Sequence, residues 1–385
     1  MNKRPRLILF PIVCLCVILL ISIGLTSCKK DEADGSADAA GDFAESGLFV
    51  SGEGGYNTYR IPALLVAPDG SVLAFCEGRV DSPDDWGDID VVMKKSTDGG
   101  KTFGETRLVA DYGNDTIGNP CPVVDEGTGT ILLYLTSNLA GDNIFETLEG
   151  TGEGTREAWV TRSTDNGETW TELENITSRV KKAEWTWYAT GPGHGIQLIS
   201  GRLVIPCDHG ETVDSTQHLY AHVICSDDGG ETWQISNSLE AGTEECEAAE
   251  LDDGSLLLTV RNYHDTGKAS FSRSYDQGLT WTRVEFNDDL YETQPDGCQS
   301  SLISYDDSLI FSGPASLKRE KMTVSVSSDN GETWPVQKLL YEGPSAYSNL
   351  CRLPDGDIAC LYENGRYNPY DKITLARFPL QWLNQ

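Results

Sequence analysis

Charged residues that no turn motif explains stand at the ends of apolar segments. Arg60 lies in Tyr59-Arg-Ile-Pro62, Arg79 follows Ser71-Val-Leu-Ala-Phe75, Arg261 ends Thr259-Val-Arg261, Arg319 follows Ser308-Leu-Ile-Phe311, and Glu363 follows Asp357-Ile-Ala-Cys-Leu361. A lone Arg or Glu is ordinarily a solvated surface charge. Four arginines and a glutamate at one recurring topological position differ, because strand ends in a radial β-fold rim a common pocket. Function is therefore sought at these positions.

Two alternating repeats describe the elements that must carry these residues. The octad Ser-x-Asp-x-Gly-x-Thr-Trp (Phe in the first copy) occurs at Ser96, Ser163, Ser226, Ser274 and Ser327. Its Asp accepts hydrogen bonds across a tight turn, its Gly supplies positive φ, and its aromatic is expected to pack the hairpin onto its own sheet. Turn chemistry explains Asp98, Asp165, Asp228, Asp276 and Asp329, which are read as structural. The second repeat places a turn such as Asp69-Gly70 or Asp253-Gly254 before an apolar strand; there are six, and their strands are expected to be inner ones buried on both faces. Repeats of this period with four short strands each are propeller blades. The fold expected over residues 47–385 is an all-β, six-bladed propeller with four-stranded antiparallel blades, in which Lys372-Ile-Thr-Leu-Ala-Arg377 pairs beside the N-terminal end.

Ahead of this domain, Lys3, Arg4 and Arg6 precede an apolar run from Leu7 to Leu25 and then Leu25-Thr-Ser-Cys28. This reads as a signal peptide over residues 1–27, with Cys28 in a segment resembling the bacterial lipobox. The run is nearly long enough to span a bilayer, so a plain transmembrane anchor is the alternative. Either way the bulk of the chain is exported, to the cell surface, outer membrane or periplasm. Residues 28–46, small and acidic, read as a tether. A formal charge of -31 excludes nucleic acid as a natural partner and favours solubility. The eight cysteines after Cys28 lack CxxC pairs, and the five histidines lack HExxH spacing, so no metal or cofactor is expected. Membrane contact is expected only through the lipid anchor, and the chain is read as a monomer.

The separate segments, in order, resemble the sialidase family. Tyr59-Arg-Ile-Pro62 is similar to its RIP signature, and Asp85-Trp-Gly-Asp-Ile-Asp90 to the segment with its catalytic aspartate. Gly191-Pro-Gly-His-Gly-Ile-Gln197, Glu245-Cys246, Thr259-Val-Arg261, Arg319-Glu-Lys-Met-Thr323, Ala346-Tyr-Ser-Asn-Leu350 and Leu361-Tyr-Glu-Asn-Gly365 follow, and the octads resemble its Asp boxes. The resemblance implies an exo-alpha-sialidase acting on sialylated glycans. It implies that Arg60, Arg261 and Arg319 grip the substrate carboxylate, that Glu363 braces Arg60, and that Arg79 lies near the sugar O4. It also implies a tyrosine nucleophile, Tyr347, with Glu245 as its base and Asp85 as acid and later base; sialidases are the tyrosine exception among glycosidases. Asp84 is the alternative to Asp85 in a crowded acidic loop. The rival reading is a non-catalytic sialic-acid-binding propeller. Such a protein needs the arginines but has no use for Tyr347, Glu245 and Asp85.

Overall fold

The computed structural model describes residues 43–385. The expected signal peptide, Cys28 and most of the tether lie outside them. Strand β1 (Ala44–Val50) takes in residues 44–46. The ring of Phe43 stacks on Trp382 and Phe378.

The described chain is almost wholly antiparallel β-structure, in four hydrogen-bonded sheets. Within them the strands fall into six successive units. The first holds β2 (Thr58–Val66), β3 (Val72–Arg79), β4 (Ile89–Ser96) and β5 (Arg107–Ala110); the second holds β6 (Thr116–Asp125), β7 (Thr130–Asn138), β8 (Glu157–Ser163) and β9 (Glu174–Asn175). The third comprises β10 (Trp187–Thr190), β11 (Ile196–Gln197), β12 (Leu203–Val213), β13 (Thr216–Ser226) and β14 (Gln234–Ile235). The fourth is β15 (Thr243–Glu250), β16 (Leu256–Asn262), β17 (Lys268–Ser274) and β18 (Glu285–Tyr291). The fifth is β19 (Ser301–Tyr305), β20 (Ser308–Pro314), β21 (Glu320–Ser327) and the first half of β22 (Val336–Arg352). The second half of β22, β23 (Ile358–Asn364), β24 (Lys372–Phe378) and β1 complete the sixth, with β24 paired to β1 as expected of residues 372–377. Neighbouring units touch through β2, β6, β12, β15, β19 and β22, and β22 returns to β2.

Two expectations are corrected by the pairing. The apolar strands after each turn are β3, β7, β12, β16, β20 and β23. They are buried, but in most units they stand second, behind a more polar strand such as β15 (TEECEAAE) or β6 (TIGNPCPVVD). The octad aromatics, in turn, do not pack only on their own hairpins. Trp170 of the second unit meets Phe75 of the first, Trp233 of the third meets Tyr134 of the second, and Trp334 of the fifth stacks on Phe271 of the fourth. Each aromatic thus joins its unit to the preceding one. The glycine beside it makes the approach feasible: Gly167 (φ 80) and Gly331 (φ 85) adopt left-handed backbone, and a Cβ would meet Leu73 at 2.8 Å and Leu257 at 2.6 Å, each in the preceding unit.

The octad Asp behaves as turn chemistry requires. Asp228 Oδ1 accepts from Ser226 Oγ (2.8 Å) and Thr232 N (2.9 Å), while Oδ2 accepts from Thr232 Oγ1 (2.6 Å). Replacing Asp228 with Ala is expected to cost about 1–3 kcal/mol of stability. Turnover per folded molecule should stay near wild type, read by thermal melting beside activity normalised to the folded fraction. A folded but inactive variant would contradict the structural role. All eight described cysteines are free thiols and seven of them are buried.

Candidate active site

The first strand of a unit and its antiparallel second strand bring a start and an end together. Thr58 pairs with Arg79, Thr243 with Asn262, and Ser345 with Asn364. Residues near the starts of β2, β15 and the second half of β22 therefore share an end with those closing β3, β16 and β23. Arg60, Glu245, Tyr347, Arg79, Arg261 and Glu363 are all such residues. Arg319 reaches the same cluster from just ahead of β21.

Tyr347 is the hub. Its hydroxyl donates to Glu245 Oε1 at 2.7 Å and accepts from Arg261 Nη1 at 2.7 Å. That nitrogen also reaches Glu245 Oε2 at 2.7 Å. The guanidinium carbons of Arg60 and Arg319 stand 5.1 and 5.4 Å from the centre of the Tyr347 ring. Arg60 is braced by Glu363, Nε to Oε1, at 2.7 Å. All three arginines expected from sequence thus converge on one phenol, with the glutamates beside them. Burial pushes the Tyr347 hydroxyl far above its ordinary value, while Arg261, Arg319 and Arg60 pull the other way and favour the phenolate. Burial also raises the Glu245 carboxyl; Arg261 opposes this and the neighbouring Glu244 adds to it.

Asp85 lies in the loop after β3, its side chain 49% exposed, with Oδ1 2.7 Å from Arg79 Nη2 and 3.7 Å from Arg60 Nη1. Burial resists its ionisation, but the guanidiniums of Arg79 and Arg60 override that and hold its carboxyl well below the usual range. Asp84, the alternative, is exposed and accepts from the Ser82 hydroxyl. Its neighbour is the residue that meets the arginines.

Backbone irregularity aims these side chains. Register shifts interrupt β2 between Arg60 and Ala63, β6 between Gly118 and Cys121, β15 between Thr243 and Cys246, and β22 between Ser345 and Ser348. Each bulge holds a site residue or its neighbour, and a bulge re-aims side chains that regular pleating would alternate away. Ile61, β-branched yet at φ 60, marks local strain at such a place. Glu363 ties two bulges together: Oε1 accepts from Ile61 N at 2.9 Å and Oε2 from Tyr347 N at 3.2 Å. Glu77, which sequence reading missed, acts similarly. It accepts from Asn119 N at 2.9 Å and pairs with Arg79 at 2.7 Å.

Other members of the cluster also escaped the sequence. Glu244 lies 3.3 Å from Arg261 and accepts from the Tyr263 hydroxyl. Arg156 covers the Trp187 ring at 3.9 Å, and Trp187 Nε1 donates to buried Asp208 at 2.6 Å. Tyr370 contacts two of the arginines. Only its place in the turn after the Glu363 strand hinted at any of this.

Residues 62–360 match the family model described as a BNR repeat-like domain. A sialidase of Micromonospora viridifaciens is 33% identical over 89% of this chain, which spans 54% of that protein's length. An exo-alpha-sialidase of Arthroderma benhamiae is 30% identical over 95% of this chain and 96% of its own. The solved structure of the Hadza microbial sialidase Hz136 superposes with a TM-score of 0.79 at 31% identity, covering 88% of this chain and 69% of that one. The chain belongs to the sialidase family, with a BNR repeat-like domain at its centre.

Proposed function

We propose that the chain is an exo-alpha-sialidase that removes terminal alpha-linked sialic acid from glycans with retention, through a tyrosyl intermediate. The six antiparallel units are read as the blades of a propeller whose strand ends form the pocket. The observation that carries the activity is the convergence of Arg60, Arg261 and Arg319 on Tyr347, whose hydroxyl is already hydrogen-bonded to Glu245. Sialic acid carries a carboxylate on its anomeric carbon. An attacking Asp or Glu would be repelled there, whereas a neutral phenol is not.

In this scheme the three arginines hold the carboxylate, and the Tyr347 oxygen attacks the anomeric carbon as Glu245 takes the phenolic proton. The glycosidic bond breaks with a proton from Asp85 to the leaving oxygen. Asp85 then removes a proton from water, which displaces Tyr347, and Glu245 returns the proton to the phenolate. Without ligand, Asp85 is held ionised by Arg79 and Arg60. An anion bound at Arg60 offsets that guanidinium and raises the proton affinity of Asp85, so substrate binding itself prepares the acid. The direct test of the activity is incubation with sialyllactose and detection of free sialic acid, compared between wild type and Tyr347→Phe. Binding without release in wild type would favour the non-catalytic sialic-acid-binding reading.

The acid has its own test. Asp85→Asn is expected to lower kcat/KM on sialyllactose by about 10²- to 10⁴-fold, the usual scale of proton transfer. A nitrophenyl sialoside should suffer far less, because its leaving group departs without a proton. Equal losses on both substrates would remove Asp85 from this role. Export as a lipoprotein anchored at Cys28 remains our reading of the N-terminal motif, supported by Leu25-Thr-Ser-Cys28 after a charged start and an apolar run.

A further inference from the structure

The three arginines are not held alike. Arg60 is paired with Glu363, and Arg261 with Glu245. Arg319 forms no ion pair among the described residues. Its guanidinium rests on two neutral acceptors, the Tyr370 hydroxyl (2.9 Å from Nη1) and the Gly297 carbonyl (3.0 Å from Nη2). The same Tyr370 ring lies against Arg60, whose guanidinium carbon is 4.1 Å from its centre, closer than to Tyr347. One phenol therefore touches two like charges that repel each other, stacking under one and accepting from the other.

The turn that carries Tyr370 is tied down by several hydrogen bonds. Its amide donates to Asn368 Oδ1 at 2.7 Å, and its carbonyl accepts from Ser51 Oγ at 2.7 Å. Ser51 N donates to the Asp371 carbonyl at 3.0 Å, and Asp371 in turn takes Arg366 N at 2.8 Å and Asn368 Nδ2 at 2.9 Å. Gly365 opens this turn where any Cβ would clash with the Asn368 carbonyl. A ring so anchored can fix the spacing of the guanidiniums before a ligand arrives, which lowers the ordering cost of binding.

We propose that Tyr370 is a positioning residue that sets the separation of Arg60 and Arg319 and thereby tunes the pocket for a carboxylate. The inference rests on the sialidase reading of the same pocket. Because Arg319 has no carboxylate partner among the described residues, its positive charge is the least neutralised of the three, and Tyr370 aims it without spending that charge. An acidic residue in place of Tyr370 would hold Arg319 equally well but would compete with the substrate anion.

The test uses the full chain, a dehydrated sialic acid analogue as inhibitor, and the methyl ester of that analogue as the probe lacking the negative charge. Tyr370→Phe keeps the ring on Arg60 and deletes the acceptor for Arg319. It is expected to weaken the acid by about tenfold, the scale of a lost hydrogen bond to a charged group, while the ester changes little. KM for sialyllactose should rise more than kcat falls. Tyr370→Leu, which also removes the ring from Arg60, should weaken the acid further, and Tyr370→Phe combined with Arg319→Lys should cost less than the sum of the two. A proportional loss for acid and ester in the Phe variant, or no loss for either, would overturn the proposal while wild type still prefers the acid. If wild type itself does not prefer the acid, the sialic acid reading falls and this inference with it.

Discussion

Tyr347→Phe is expected to lower kcat on sialyllactose by roughly 10³-fold or more, on the scale seen when a member of a catalytic unit is removed. In the proposed mechanism the hydroxyl is the attacking atom, and its loss leaves the pocket otherwise filled. A phenol ionises near pH 10 when unperturbed, and burial raises this one further. It therefore needs Glu245 at 2.7 Å to take its proton, with Arg261 at the same distance to stabilise the negative oxygen. The pair forms one unit, so Glu245→Gln added to Tyr347→Phe should cost far less than Glu245→Gln costs alone. A fluorinated sialyl fluoride should label the wild-type chain at Tyr347, located by peptide mass spectrometry. Labelling at Asp85 or Glu245, or full additivity of the two substitutions, would overturn the covalent step while leaving the carboxylate pocket standing.

Arg261→Lys should weaken binding of a sialic acid analogue by about a hundredfold despite conserving charge, as expected from losing two hydrogen bonds to or from charged groups. Arg261 works on both sides of its guanidinium. Nε and Nη2 lock onto the Asp296 carbonyl at 3.0 and 2.6 Å, which leaves Nη1 for Tyr347 and Glu245. An ammonium has no rigid fork and cannot hold both sides at once. The substitution should lower kcat as well as affinity, because the same nitrogen donates to the Tyr347 hydroxyl that attacks in the proposed mechanism. Calorimetry on the analogue together with steady-state rates separates the two effects. Unchanged affinity would remove Arg261 from the carboxylate site.

The parts of this protein legible in its sequence are those written by local chemistry. The octads depend on a hydroxyl, a carboxylate and a glycine within eight positions, and the structure forms those turns at all five. Arg60, Arg79, Arg261, Arg319 and Glu363 stood out in the sequence by their places around the apolar strands, whereas Tyr347, Glu245 and Asp85 were named only through the resemblance to the sialidase family. The choice of Asp85 over Asp84 was not local. Both sit in one acidic loop, and only the chain's path brings one of them to Arg79 and Arg60.

Tertiary structure alone decided the rest. Whether an octad aromatic packs on its own hairpin or on the preceding unit depends on how sheets meet, which residue spacing within a hairpin does not encode. The bulges at Arg60, Glu245 and Tyr347 were equally hidden. A bulge adds one residue without a sequence signature, and here each is stabilised by contacts from elsewhere, as Glu363 does for Ile61 and Tyr347. Tyr370 shows the limit most plainly. Its sequence surroundings, Asn-Pro-Tyr-Asp, announce a turn and nothing else. Its contacts with Arg60 and Arg319 span 310 and 51 positions along the chain, as its number less each of theirs gives. Sequence determined the repeating hairpins because their interactions are short-range. The spacing of the arginines belongs to the assembled fold, because like charges repel and are held near one another only by groups that reach them through space.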